Sequence, residues 1–192
     1  MDDQRHHPYE NIRLNIAGHA RYEYTEAARS YVPMHWHGAL ELIYILSGEL
    51  TVETEQRRWQ LHAGQCIFVS PYVLHSTISL SGSTALQLRI PTEELGNFAP
   101  ETRSRQFIWD AETTNPTMTA SIERVKQKLL QMQHTASSDS PFRDIRMASL
   151  LLEITYLLYE EFSRPVTENS LSRCEKNRQR LLAVMAYTEA HY

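Results

Sequence analysis

Between Leu40 and Ile90 apolar and polar positions alternate in short runs, whereas beyond Pro116 the apolar positions recur every third or fourth residue. The first texture predicts strands at Glu41–Leu46, Leu50–Thr54, Arg58–Leu61, Cys66–Val69, Ser76–Leu80 and Thr84–Ile90. Turn residues separate them at Ser47-Gly48, Glu55-Gln56, Ala63-Gly64, Ser70-Pro71 and Ser81-Gly82-Ser83. Upstream, the alternation of Ile12, Leu14 and Ile16, followed by Tyr22 and Tyr24, predicts one or two further strands leading in. Many short strands joined by tight turns favour a closed antiparallel barrel or jelly roll, because closure removes exposed strand edges.

The second texture predicts helices. In Pro116–His134, Ile122, Val125, Leu129 and Met132 share one face. The stretch His134 to Ser140 reads as a loop ending in an N-cap, with Pro141 at a helix start. Arg143–Ser163 then carries a core stripe of Ile145, Leu151, Ile154, Leu158 and Phe162, broadened by Leu150, Leu152 and Leu157. A stripe that wide exceeds what one neighbouring helix covers, which points to homodimerisation through the helices of 116–163. Before them, Thr92–Leu95 reads as a short helical turn and 96–115 as a connector anchored by Phe107, Ile108 and Trp109. After them come a polar linker, Ser163 to Cys174, and a last amphipathic helix, Glu175 to Tyr192, with Leu181, Leu182, Val184, Met185 and Tyr187 as its apolar set. The expected organisation is a mainly β domain over 1–92, a helical region over 93–163, and a linker with the first helix of a further, truncated domain over 164–192.

Size and composition narrow the classes. A chain of 192 residues has room for one barrel plus helices, and its 42% hydrophobic and 22% charged content suits a folded soluble protein. A net charge of −4 excludes the broad basic surface that binds nucleic acid by counterion release, so this stretch is not expected to hold DNA by itself. Two cysteines, Cys66 and Cys174, show no paired or CxxC spacing, and the polar start Met1-Asp2-Asp3-Gln4-Arg5-His6-His7 is no signal peptide. Without a long apolar run either, the expectation is a cytoplasmic protein with no membrane partner. His6-His7 reads as a solvated terminus.

The chemistry concentrates in His35-Trp36-His37-Gly38-Ala39-Leu40-Glu41. On an extended strand the i, i+2, i+6 spacing of His35, His37 and Glu41 puts two imidazoles and a carboxylate on one face. A second stretch, Gly64 to His75, supplies a turn, a short apolar strand, a proline break and another histidine. Together the two stretches resemble the paired motifs of the cupins. That resemblance implies a metal bound by the two histidines and glutamate of the first motif and the histidine of the second, inside a small β-barrel. The match departs at Arg29, where cupins carry glycine, and in Pro71-x-x-x-His75, which is shorter than Pro-x-Gly-x-x-His. His35, His37, Glu41 and His75 are therefore the candidate ligands of one transition metal, Zn, Fe, Ni or Mn. The competing reading keeps them as polar groups that bond one another, water or an effector in a pocket that also includes Ile43. No certain cofactor follows. Trp36 and Trp59 read as core or dimer surface, and Arg57-Arg58 as a solvated turn tip.

A cupin-like barrel, two amphipathic helices, a polar linker and the run from Asn177 to Tyr192 resemble, in that order, the AraC-family transcriptional regulators. The pattern His37-x-x-x-Glu41-Leu-Ile-Tyr-Ile-Leu-x-Gly48, with Gly64 and Pro71-x-x-x-His75, carries the likeness. It implies a sensor and no catalysis: a barrel for a small effector, helices that dimerise, and DNA contacted only by a C-terminal domain with two helix-turn-helix motifs, whose first helix 178–192 resembles. The rival expectation is a metal-dependent cupin enzyme, a dioxygenase or sugar isomerase. Against it, no second acid–base group accompanies Glu41 on its face.

Overall fold

A computed structural model describes residues 9–98, 105–107, 109, 113–165, 183 and 187. Its strands are β1 (Arg21–Ala27), β2 (Ser30–His35), β3 (Ala39–Thr54), β4 (Arg58–His62), β5 (Cys66–Val69), β6 (His75–Ser79), β7 (Ser83–Pro91), β8 (Arg105–Phe107) and β9 (Ser163–Pro165). Helices α1 (Thr92–Phe98), α2 (Pro116–Ala136) and α3 (Arg143–Phe162) complete the described elements.

The long strand β3 organises the sheet. Its first half pairs with β7 and β5 and its second half with β4 and β6, while β1 flanks β7 and β2 flanks β6, all antiparallel. The two predicted strands Glu41–Leu46 and Leu50–Thr54 are thus one. Ser47-Gly48 is not a turn but the site of a register shift between Ile45 and Ser47, with Gly48 at φ 74°. A glycine supplies the same left-handed backbone to a bulge as to a turn. The expected mainly β architecture followed by helices is present, its antiparallel sheet curling into a half-barrel whose pairing path runs from β1 to β2. The predicted strand at Ile12–Ile16 is reduced to one bridge between Ile16 and Ala20.

Alternation gives this sheet two apolar faces. On its inner face Ile43, Ile45, Leu50, Val52, Leu61, Ile67, Val69 and Ala85 pack together. On its outer face Leu40, Leu42, Leu86, Leu88 and Ile90 join a core with Val125, Leu129, Met132, Leu150, Leu151, Ile154 and Leu158 of the helices. The half-barrel and the helices share this second core.

Helix α2 starts where Asn115 Oδ1 accepts from the Thr117 and Met118 amides, at 3.0 and 3.3 Å, and Pro116 fits the first turn. It ends at Ala136, later than predicted. Helix α3 starts at Arg143 without a side-chain cap on its first turn; Ser140 Oγ accepts from Phe142 N instead. The apolar stripe of α3 is rotated from the expected one. Met147, Leu150, Leu151, Ile154, Leu157, Leu158 and Phe162 are buried, whereas Ile145 is 71% exposed and Leu152 47%. Trp109 and Phe107 do anchor the connector, on Phe162, Phe68 and Tyr159. Ile108, His6-His7, the linker after Pro165 and the predicted terminal helix, apart from Ala183 and Tyr187, lie outside the described residues. No helix among those described is long and apolar enough to cross a membrane.

Candidate functional site

The inner face changes character along its length. One end is the apolar core; at the other, β7 contributes Gln87 and Arg89 in line with Ala85, β3 contributes Glu41 opposite Arg89, and β1 contributes Glu23 opposite Gln87. Into this polar end project His35, from the end of β2, and His75, opposite it at the start of β6. His37 arrives from the break between β2 and β3, so it does not share a strand with Glu41 as the spacing suggested. Convergence comes instead from the chain bending at Gly38, over which Tyr72 packs. The turn before His75 contains no glycine; Tyr72 itself takes φ 61°, held by its amide to the His37 carbonyl (2.9 Å) and its hydroxyl against Thr92 Oγ1 (3.3 Å). A non-glycine residue in that region costs of order 1–3 kcal/mol, which the surrounding contacts must offset.

The three imidazoles are fixed alike. Each Nδ1 donates to a carbonyl two residues away: His35 to Pro33 (2.9 Å), His37 to Ala39 (3.2 Å) and His75 to Val73 (2.8 Å). That leaves every Nε2 for the interior. One ring nitrogen of each lies within 4.8 Å of those of the other two, and all three residues are buried. Glu41 stands outside that mutual set yet touches it, its Oε2 lying 3.3 Å from His37 Nε2 and 3.1 Å from His75 Nε2. Its other oxygen accepts from Arg89 Nε at 2.7 Å. Burial by itself would raise the Glu41 carboxyl, but the two histidine contacts and the Arg89 charge outweigh it and hold it well below the usual range. For His35, burial and the neighbouring His75 lower the imidazole's affinity for a proton.

Of the expected site residues, the structure brings together His35, His37 and His75, with Glu41 against them. Ile43 lies two residues further along β3, wholly within the apolar end. Trp36 is buried with Tyr9 edge-on at 4.6 Å, Trp59 is half-buried, and Arg57 lies 5.2 Å over the Trp59 ring. Two central residues escaped sequence reasoning. Arg89, only 9% exposed, also donates from Nη1 to Glu10 Oε1 (2.9 Å) and has Glu23 Oε2 at 3.5 Å. Glu10 belongs to the segment preceding β1, and its Oε2 lies 3.5 Å from His35 Nε2. The available signal for Arg89 was its alternation with Leu86, Leu88 and Ile90, which places it on the face opposite theirs.

Chemically, three imidazoles with fixed Nδ1 protons and inward Nε2 atoms fit the needs of a first-row transition metal, since such ligands offer a ring lone pair and a second-sphere anchor. His35, His37 and His75 would hold it, and it would act as a Lewis acid toward oxygen donors. Arg89 keeps Glu41 Oε1 occupied, leaving only Oε2 for an ion.

The AraC-like ligand binding domain family matches residues 4–153. The chain belongs to that family. Ligand binding in a regulatory protein is accordingly the role of an AraC-like ligand binding domain. No curated protein sequence matches the chain. Among solved structures, an RmlC-like cupin from Shewanella frigidimarina is similar at 22% identity over 38% of this chain and 67% of its own, with a TM-score of 0.36. A cupin superfamily protein from Desulfitobacterium hafniense is similar at 16% identity, over 42% and 74% of the two chains, with a TM-score of 0.39. A DMSP lyase from Ruegeria pomeroyi is 30% identical over 37% of this chain and 36% of its own, with a TM-score of 0.33.

Proposed function

We propose that the chain senses a small effector at the polar end of the half-barrel and, as a homodimer through α2 and α3, controls DNA binding by a C-terminal domain of an AraC-type transcriptional regulator, without catalysis. One observation carries this reading. A buried constellation of His35, His37, His75, Glu41 and Arg89 occupies a face whose other end is packed with aliphatic side chains. Buried ionic groups are often no more stabilising than apolar packing of the same volume, so such a cluster is better explained by a ligand it receives. The effector then works by binding one arrangement of the dimer more tightly than another, with coupling on the scale of 1–3 kcal/mol. The dimer reading draws on α3, where Ile145, Leu152 and Tyr156 are exposed and Tyr156 lines a groove formed with α2.

The test is a thermal-shift screen of sugars, organic acids and metal ions on the wild type and on His37→Ala. A ligand that raises the melting temperature of the wild type alone supports the reading; ligands acting equally on both proteins would sink it. Light scattering of Ile145→Glu then reports on the dimer. Loss of the dimer with an unchanged melting temperature is the expected result, and a wild type that is monomeric at all concentrations refutes that part. A second reading, a metal-dependent cupin enzyme, draws on the three-histidine cluster. Turnover of a candidate substrate by metal-loaded protein would favour it.

A further inference from the structure

The segment that carries Tyr9 and Glu10 runs beside the break between β2 and β3. Tyr9 bridges Trp36 in parallel fashion, and the Glu10 amide donates to the Trp36 carbonyl at 3.0 Å. These anchors aim the Glu10 side chain into the polar end of the half-barrel. There its Oε1 accepts from Arg89 Nη1, but its Oε2 and His35 Nε2, both buried, have no hydrogen-bond partner among the described residues. The two atoms face each other at 3.5 Å. With the ring proton of His35 on Nδ1, two lone pairs oppose one another in a site shielded from water. That arrangement is unfavourable unless a proton or a metal ion lies between them.

We propose that Glu10 is a ligand of a first-row transition-metal ion held by His35, His37 and His75, so that the ion ties the segment before β1 to the half-barrel. This rests on reading the histidine cluster as the ligand-receiving site. Two donors on one ion, each about 2.0–2.2 Å from it, stand roughly 2.9 Å apart when cis-octahedral and roughly 3.5 Å apart when tetrahedral. The Glu10 to His35 separation falls at the tetrahedral end of that interval. Arg89 holds one oxygen of each acidic group, its Nε on Glu41 Oε1 and its Nη1 on Glu10 Oε1, so that Glu41 Oε2 is left against His37 and His75 and Glu10 Oε2 against His35. With Glu10 Oε2 closing in from its place beside His35, outside the mutual set of the three histidine nitrogens, three imidazoles and one carboxylate would make a tetrahedral set of the kind Zn and Co(II) take. Ion occupancy and the order of the Tyr9–Glu10 segment become a single equilibrium, because the segment supplies a ligand.

The experiment is calorimetric titration of the 192-residue chain with Zn(II), the visible absorption of its Co(II) form, and hydrogen exchange around residues 9–11, on the wild type, Glu10→Gln and His37→Asn. The Gln amide oxygen still accepts from Arg89, so the segment keeps that contact and loses only the anionic ligand. Expected are an ion bound by the wild type, at least about tenfold weaker binding in Glu10→Gln, a changed Co(II) spectrum, and zinc-dependent protection of the segment in the wild type only. Equal affinity, spectrum and protection in wild type and Glu10→Gln, with binding lost in His37→Asn, would overturn the role of Glu10 and leave the histidine site standing. A wild type that binds neither metal would overturn both assignments, while organic ligands in the thermal-shift screen would still report on the sensor.

Discussion

Replacing Arg89 with Met should cost more stability than replacing its partner Glu41 with Gln. Glu41 is 2% exposed, and the Arg89 charge helps to hold its carboxylate ionised. Arg89, in contrast, retains Glu10 at 2.9 Å and Glu23 at 3.5 Å when Glu41 is neutralised. Removing one member of a buried pair strands the other charge, at about 3–5 kcal/mol. A Coulomb estimate agrees, since unit charges about 4 Å apart at an effective dielectric constant of about 20 interact by about 4 kcal/mol. At roughly 2–4 °C per kcal/mol for a chain of this length, Arg89→Met should lower the melting temperature by roughly 6–20 °C. Glu41→Gln should lose less than half of that. The double variant should recover part of the loss, a coupling of about 1–3 kcal/mol. The assay is thermal and urea denaturation of all four proteins in EDTA, which keeps any bound ion out of the comparison. The pH dependence has a definite sign. Because the folded Glu41 value is depressed, its contribution is present above the unfolded carboxylate value of about 4.3 and is lost as the pH falls through the folded value. Wild type and Glu41→Gln should therefore converge in strongly acid solution. A drop below about 2 °C for Arg89→Met, or a coupling indistinguishable from zero, would refute this account of the polar end.

The remaining predictions concern the scaffold. At Gly48, with φ 74°, an added Cβ would lie 2.1 Å from the Gly82 carbonyl oxygen, whereas at Gly64, with φ 86°, nothing lies within 4 Å. Gly64→Ala should cost about 1 kcal/mol for the backbone alone, and Gly48→Ala at least about 2 kcal/mol more; equal denaturation midpoints would count against the close crossing. Leu150→Ala should cost about 2–5 kcal/mol and Ile145→Ala under about 0.5 kcal/mol when measured on monomer at low concentration, with a reversed order refuting the face assigned to α3. Burial pushes the Cys66 thiol up to about 12. In a Cys174→Ser background a thiol reagent at pH 8 should leave Cys66 unmodified until denaturant is added, and rapid native labelling would contradict its burial.

Strand β5 begins and ends where its pattern predicts, β7 is extended by one residue at each end, and the buried Val125, Leu129 and Met132 of α2 match their spacing. These features depend on periods of two and of about 3.6, which neighbouring residues alone specify. Histidines 35, 37 and 75 and Glu41 were legible as a group because few other reasons place such residues beside apolar strands. The sequence left undecided which side of α3 is buried, since Ile145, Leu150, Leu151 and Leu152 surround the helix and only contact with the sheet and α2 selects among them. It also could not distinguish a turn from a bulge at Gly48, because both use the same backbone dihedral; the crossing with Gly82 settles the matter. Arg89 and Glu10 were hidden for a related reason. Each is an ordinary charged residue locally and acquires its role from partners 48 and 79 positions away. Local periodicity thus determined most of the elements, and residue type in two short motifs marked the ligand-type residues, whereas their convergence and the charges that hold them came from the bend at Gly38 and the curl of the sheet, which brings distant segments within a few ångströms and removes the water that would otherwise screen them.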